Sequence, residues 1–152
     1  MKNYTYRKFN TNILNGTLAN VLDVSGDKEW RLIPLTGDYT FNDDHEKVTD
    51  LTNEVGGDAV RAVIAGVDIE EDGKKTFLTT TSEIIDVSAD AQITFQQLAL
   101  AYFDAAGDAN GYLVNLYDFE SSQTGTQVEI EQTTPGGARY ICKLDAKVVD
   151  FS

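Results

Sequence analysis

Residues 97–119, QLALAYFDAAGDANGYLVNLYDF, decide the fold class of this chain. Two largely apolar runs, 97–103 and 112–119, flank a loop at 104–111 that contains only Gly, Ala, Asp and Asn. A loop of this composition between two apolar runs is typical of two antiparallel strands joined as a hairpin. The stretch therefore predicts a mainly β protein.

Further strands are predicted on both sides of this hairpin. Glu71-Asp72-Gly73-Lys74 is a tight-turn signal, and Pro34 indicates a strand that lies at a sheet edge or is about to end. Roughly eight short strands with turn signals every 8–12 residues are typical of an antiparallel β-sandwich or jelly roll. The runs assigned to strands are 30–35, 59–67, 76–81, 83–87, 91–95, 97–103, 112–119, 127–131 and 139–149.

Residues 1–28 have a different pattern. Tyr4, Tyr6 and Phe9 are interspersed with polar residues in the manner of a strand, whereas apolar residues between 13 and 22 recur at helical spacing. This predicts an N-terminal arm with a short helical segment at 1–28, followed by a single β-sandwich domain at 29–152. An arm with three aromatic residues could pack on its own domain or on a neighbouring subunit.

The charge of the chain limits its partners. The 152 residues include 25 Asp and Glu against 12 Lys and Arg, a net charge of −13. Nucleic acid and anionic membranes would repel such a surface, so neither is expected as a partner. No run approaches the roughly 20 apolar residues of a membrane span. The N-terminus has no signal-peptide pattern, which predicts synthesis and folding in the cytoplasm.

Catalytic motifs are not found in the sequence. It contains no Gly-x-Ser-x-Gly, no phosphate-binding loop and no His-Glu-x-x-His. Cys142, the only cysteine, is predicted to be a buried strand residue, and His45, the only histidine, lies in an acidic segment predicted to be exposed. We therefore expect a non-enzymatic protein without catalytic residues, metal or cofactor.

One acidic segment is similar to the start of a calcium-binding loop. In Asp68-Ile69-Glu70-Glu71-Asp72-Gly73 the carboxylates alternate and glycine is sixth. The twelfth position is Thr79, where such loops require Glu, and a polar hairpin tip explains the same residues. Asp104, Asp108 and Asn110 form a second candidate loop. A calcium-dependent carbohydrate-binding module therefore stays an alternative.

Four stretches, in this order, resemble small virion structural proteins of tailed phages. The stretch 30–40, WRLIPLTGDYT, matches an early strand of the type Arg-x-Ala-Leu-Leu-Thr followed by Tyr and Asp. The stretch 52–57, TNEVGG, takes the place of a Thr-Asn-Glu-Val motif, and 89–95, ADAQITF, that of an Ala-Asp-x-x-x-Thr-Trp strand. Residues 100–119 match a strand ending in Tyr, an Asp/Gly/Ala loop and a strand ending in Asp-Phe. The likeness covers residues 29–131.

The sequence also departs from that family. Gln96-Gln97 replaces a small polar pair, Asn115-Leu116-Tyr117 has no counterpart, and neither residues 1–28 nor the tail after 135 match a family pattern. The resemblance implies a β-sandwich that decorates or cements the capsid, or that joins the head to the tail. No catalytic residues come with it.

The resemblance leads us to expect a capsid decoration or cement protein on the virion surface. Its partners would be the major capsid protein and further copies of itself, as a dimer or trimer. Tyr4, Tyr6 and Phe9 are the candidate partner-binding residues, because aromatic anchors carry much of the energy of protein interfaces. A neck, tail or fibre-base component with the same fold is the alternative.

Overall fold

The computed structural model describes residues 2–72, 75–82, 84–86, 92–125, 127–129 and 140–144. In these residues β-strands predominate, joined by one α-helix and three short 3₁₀ helices. The strands are β1 (Lys2–Thr5), β2 (Glu29–Leu35), β3 (Ala62–Ile64), β4 (Asp68–Asp72), β5 (Lys75–Thr79), β6 (Ile84–Asp86), β7 (Ile93–Phe103), β8 (Gly111–Gly125), β9 (Gln127–Glu129) and β10 (Tyr140–Leu144). The α-helix α1 is Arg7–Leu14, and the 3₁₀ helices are Val48–Asp50, Gly57–Val60 and Asp108–Asn110.

The main sheet has five antiparallel strands in the order β1-β8-β7-β2-β3. Its centre is the β7–β8 hairpin, which confirms the prediction from residues 97–119. Two smaller antiparallel sheets have the orders β10-β5-β4 and β6-β9. The predicted mainly β, sandwich-like fold class is thus confirmed.

The main sheet is covered on both faces, which explains the nearly continuous apolar run of β7. Side chains of a strand alternate between the two faces, so a strand buried on both faces needs apolar residues at every position. The first core contains Phe9, Leu18, Trp30, Leu32, Ala62, Ile64, Leu78, Phe95, Leu98, Leu100, Tyr102, Tyr112 and Val114. The second core contains Tyr6, Ile33, Leu35, Tyr39, Val48, Ala99, Ala101, Phe103, Leu113 and Leu116.

The N-terminal segment belongs to both cores. Strand β1 pairs with β8 at residues 115–118, and the Tyr6 N–H donates to the Val114 carbonyl at 3.0 Å. Phe9 packs edge-on against Trp30 in the first core, with ring centroids 6.1 Å apart. The predicted helical spacing from 13 to 22 is wrong in extent: α1 ends at Leu14, and Gly16, with φ +81°, follows it.

The predicted strand at 59–67 is also wrong in extent. Residues 57–60 form a 3₁₀ helix, β3 covers only Ala62–Ile64, and the hairpin partner of β5 is β4. The cause is Gly66, whose φ of +58° turns the chain out of the main sheet and into the three-stranded sheet. A Cβ at this position would collide with the side chain of Thr81. A side chain at residue 66 would therefore be both strained and overcrowded.

The remaining strand predictions differ in detail. The runs 91–95 and 97–103 are parts of one strand, β7, with a register shift between Phe95 and Gln97. Pro34 lies near the end of β2, beyond the last pair with β3, and its carbonyl accepts from the Val55 N–H at 2.9 Å. Because Pro34 lies beyond the β2–β3 pairs, its missing N–H removes no hydrogen bond between these two strands. Strand β10 lies inside the predicted run 139–149. The structure describes the backbone of Cys142 but not its side chain, so the predicted burial of this residue stays a prediction.

Candidate functional site

An open cleft of about 550 Å³ lies beside the β3 edge of the main sheet. We call it the arginine cleft, since two arginines hold its walls together. Its walls come from β2, from the segment 54–61 and from the 104–108 loop of the β7–β8 hairpin. The lining residues are Asp27, Glu29, Arg31, Glu54, Gly57, Asp58, Arg61, Phe103, Ala105, Ala106, Gly107 and Asp108.

Arg61 is the central residue of the cleft. Its side chain is only 4% exposed. Its Nε and Nη2 donate to the two Glu54 carboxylate oxygens at 2.6 and 2.8 Å, and its Nη1 and Nη2 donate to Asp108 at 2.6 and 3.0 Å. Two such bidentate pairs use the planar fork of a guanidinium fully. They raise the pKa of Arg61 above its ordinary value and lower the pKa of Asp108.

The backbone brings the partners of Arg61 into place. Glu54 is held next to β2 by its bridge to Leu35. Arg61 directly precedes β3, which pairs with residues 30–32 along the same edge of β2, opposite β7. Asp108 begins the 3₁₀ helix of the hairpin loop. Arg61 thus joins Glu54, seven positions earlier, to Asp108 of the hairpin loop, 47 positions later.

Arg31 belongs to the same ion network, because Asp58 contacts both guanidiniums. Its Nε donates to Glu29 at 2.5 Å and its Nη1 to Asp58 at 2.6 Å. Its guanidinium lies 5.3 Å from the centre of the Phe103 ring, within the range of a cation–π contact. The Asp58 side chain is 76% exposed, so its carboxylate also faces solvent.

The charges of the cleft determine its chemistry. Five carboxylates and two guanidiniums line it, which leaves a formal excess of three negative charges. The arginine donors already bind carboxylates, and the lowered pKa of Asp108 keeps that group ionised near neutral pH. An ionised carboxylate cannot act as a general acid at that pH. The arrangement is suited to hold a rigid acidic surface and to present carboxylate oxygens to a cationic group.

The sequence-predicted site residues lie elsewhere and are mostly covered. Tyr6 and Phe9 are fully buried, in the second and the first core respectively, and Tyr4 is half-buried. The structure brings Tyr4 and Tyr6 together on the ring of Phe41, at centroid distances of 4.8 and 4.9 Å. Phe9 points into the opposite core. In this chain the arm packs on its own domain, one of the two arrangements left open by the sequence.

His45 has a buried partner, contrary to its predicted place in an exposed loop. Its Nδ1 lies 2.7 Å from the Tyr39 hydroxyl, which lies 2.9 Å from the Tyr6 hydroxyl. Burial raises the pKa of Tyr6, with a contribution from its hydrogen bond to Tyr39, and burial also raises the pKa of Tyr39. The sequence prediction failed because the segment 36–50 is polar overall, yet it is folded against the second core.

The two candidate calcium loops have other structures. Asp68–Asp72 is strand β4, so its carboxylates lie along a strand instead of around a loop. Asp108 binds Arg61, and the Asn110 amide donates to the Ala106 carbonyl at 2.8 Å. In the part of the chain that the structure describes, no group of three or more His, Cys, Asp or Glu residues is placed to hold a metal ion.

Two further findings concern the whole described chain. None of its helices is long and apolar enough to cross a lipid bilayer. Comparison with protein families, with curated proteins and with solved structures finds no match.

The arginine cleft was missed at the sequence level. Its members Arg31, Glu54 and Asp108 are each unremarkable surface-type residues in three separate stretches. No feature within the stretches 30–40, 52–57 and 100–119 links any one of them to the others.

Proposed function

We propose that this protein is a non-enzymatic structural protein of a tailed-phage particle, which docks on the outside of major capsid protein subunits and stabilises the head. One observation carries the proposal. Three of the stretches that carry the family resemblance meet in the arginine cleft, through Arg31, Glu54 and Asp108. The mainly β, sandwich-like fold agrees with what the resemblance implies.

The docking surface that we propose is the acidic face of the arginine cleft. The buried ion pairs of Arg61 hold three segments in one arrangement, and Asp58 extends from them into solvent. A preorganised surface loses little conformational entropy on binding. Its negative charge is complementary to basic residues of a partner, and charge complementarity contributes mainly to specificity and association rate. The partner surface is therefore expected to carry Lys or Arg.

Attachment of many copies compensates for the modest strength of each contact. When one copy touches two neighbouring capsid subunits, or pairs with another attached copy, its second contact forms at a high effective concentration. The overall binding is then tighter than either contact alone. Clamping of this kind opposes the outward pressure of packaged DNA. The aromatic arm residues Tyr4, Tyr6 and Phe9 stay a second candidate contact, which would require β1 and α1 to leave the sheet because Tyr6 and Phe9 are buried.

The decisive experiment is a cryo-EM map of the purified particle in which the copies of this chain are located and counted. Copies distributed over the outer shell support the decoration function. A single ring at one vertex replaces it with the neck, tail or fibre-base alternative. A particle without the chain overturns both.

A matched pair of charge reversals tests the proposed surface. We expect Asp58→Lys to reduce co-sedimentation with particles that lack the protein, and to reduce it most at low salt. Glu71→Lys changes the net charge by the same amount on an exposed position of β4, outside the cleft, and is expected to bind like the wild type. Equal losses for both variants would show that only net charge matters and would contradict the cleft as the docking surface.

A further inference from the structure

Three side chains form a continuous hydrogen-bonded chain from the N-terminal segment to the segment 36–50. Tyr6 follows β1 and is fully buried, Tyr39 is buried in the second core, and His45 is half-buried at the outer end. The two distances are 2.9 Å between the hydroxyls and 2.7 Å from Tyr39 to His45 Nδ1. We call this group the tyrosine–histidine chain.

The hydrogens of this chain are all accommodated when His45 is neutral with an unprotonated Nδ1. Tyr39 then donates its hydroxyl hydrogen to Nδ1, and Tyr6 donates its own to Tyr39. Each hydroxyl has one hydrogen, and each hydrogen has an acceptor. No buried donor is left unpaired in this arrangement.

Protonation of His45 adds a hydrogen for which the tyrosine–histidine chain has no acceptor. Both nitrogens of an imidazolium are donors, so Nδ1 would donate to the Tyr39 oxygen, and the Tyr39 hydroxyl hydrogen could no longer go to Nδ1. Whichever of Tyr39 and Tyr6 then donates to the other, the remaining hydroxyl hydrogen needs a different acceptor. Within the described residues, Tyr39 is the partner of the Tyr6 hydroxyl. Either a fully buried donor is unpaired, or the bond between His45 and Tyr39 breaks.

Asp50 acts on the same imidazole from the 3₁₀ helix Val48–Asp50. The backbone N–H groups of Lys47 and Glu46 donate to its carboxylate at 3.0 and 2.9 Å, and these bonds lower the pKa of Asp50. Asp50 therefore stays ionised while an imidazole titrates. Asp50 thus carries a negative charge near His45, whereas the tyrosine–histidine chain accepts His45 only without a proton on Nδ1.

The other charged groups near His45 are already paired. On the solvent side, Arg7 of α1 forms ion pairs with Asp43 and Asp44. Glu46 accepts a hydrogen bond from the Asn12 amide of α1 at 2.9 Å. These contacts also join the N-terminal segment to the segment 36–50, and none of them involves a group that changes charge between about pH 5 and 8.

We propose that the tyrosine–histidine chain is an acid-sensitive latch, in which protonation of His45 loosens β1 and the start of α1 from the main sheet. The attached state needs an unprotonated Nδ1, so loosening takes up a proton and becomes more favourable as the pH falls. Histidine is the side chain whose ordinary charge change lies between about pH 5 and 8. The inference goes beyond the proposed function and holds for the free protein.

Amide hydrogen exchange of the Tyr6 N–H, which bonds to the Val114 carbonyl, measures the latch directly. After correction for the intrinsic effect of pH, we expect its protection to fall about tenfold between about pH 8 and pH 5, the effect of one unpaired buried donor. The amide of Ala99 in the central strand β7 serves as the internal reference and is expected to keep its protection. If both amides lose protection together, the whole sheet is destabilised and the latch is wrong.

His45→Gln is the matched variant, because its side-chain carbonyl can accept from Tyr39 at every pH. We expect it to fold normally and to show less than a twofold change in Tyr6 protection over the same range. Tyr39→Phe removes both bonds and should give low protection of Tyr6 at both pH values. A wild-type protein whose Tyr6 protection does not change, or a His45→Gln variant that changes as much as the wild type, overturns the proposal.

Discussion

The two edges of the main sheet are closed by different forces. At the β1 edge, Tyr4 and Tyr6 pack on Phe41, and hydrogen bonds between side chains continue from Tyr6 to His45. At the β3 edge, the guanidinium of Arg61 holds Glu54 and Asp108. The segment 36–55 runs from one edge to the other over the second core. The segment 36–55 is thus held by buried aromatic side chains at the β1 edge and by ion pairs at the β3 edge.

This difference illustrates that the exposure of a charged group decides how much its ion pairs stabilise the fold. Arg7 contacts two carboxylates and Arg61 contacts three, but the Arg7 side chain is 61% exposed and that of Arg61 is 4% exposed. Exposed ion pairs contribute little because water and salt screen them. A buried guanidinium without its partners, or buried carboxylates without theirs, costs several times more.

The largest loss is expected at the aromatic edge. Tyr6→Ala should reduce the free energy of unfolding by about 3–5 kcal/mol, because it empties a fully buried ring site and removes the partner of Tyr39. Urea-induced unfolding measures the change. Tyr4→Ala, which shortens a half-buried ring on the same Phe41, should cost less than half as much. Equal losses for the two variants would mean that a position at the β1 edge, and not the burial of the ring, determines the loss of stability.

The next largest loss is expected at the charged edge. Arg61→Met keeps most of the apolar stem but leaves Glu54 and Asp108 without their cation, and should cost about 2 kcal/mol, below the full value for a buried pair because both carboxylates can be hydrated. Arg7→Met, the exposed counterpart, should cost no more than about 1 kcal/mol. A similar loss for the two variants would contradict the role assigned to burial.

Alkaline pH should destabilise the protein through Tyr6 of the aromatic edge. The pKa of Tyr6 is raised in the folded protein, so the folded state keeps its proton while the unfolded state loses it above about pH 10. Unfolding then releases a proton, and stability falls as the pH rises through that range. Unfolding measured between pH 8 and 11 should show a shallower fall for Tyr6→Phe. A parallel fall for variant and wild type would show that Tyr6 is not responsible.

The smallest effect is expected at acid pH, at the charged edge. Arg61 lowers the pKa of Asp108, so below about pH 4 the unfolded state binds the proton more readily and stability is lost as the pH falls. Asp108→Asn should be less stable than the wild type at pH 6 and should approach it near pH 2. In an Arg61→Met background the same substitution should show a smaller dependence on pH, because only the weaker effect of Arg31 on the pKa of Asp108 remains. An undiminished dependence there would contradict the role of Arg61.

Local features of the fold could be predicted from the sequence, whereas long-range features could not. The β7–β8 hairpin and the place of Pro34 near a strand end follow from neighbouring residues, because turn chemistry and proline geometry act locally. The pairing of β1 with β8 has no such signal, since Thr5 and its partner Asn115 are 110 positions apart. The sheet change at Gly66 depends on the space that Thr81 occupies.

The candidate sites show the same limit. Tyr4, Tyr6 and Phe9 look like an exposed aromatic arm because their neighbours are polar, and only the folded sheet supplies the rings that cover them. The partners of Arg61 lie 7 and 47 positions away, in segments that are acidic for no reason visible in the sequence. Ion pairs between distant segments can be identified only after the fold has placed those segments next to each other.

The distance in sequence between β1 and β8 has a consequence for synthesis. The ribosome makes β1 first, yet its partner residues follow about 110 positions later. At roughly 5–20 residues per second, β1 waits on the order of 5–20 s before β8 emerges. During that time Tyr6 and Phe9 have no core to enter and are open to other chains, including neighbours on the same messenger RNA. Of the strand pairs described, β1 and β8 therefore have the longest interval in synthesis between their two members.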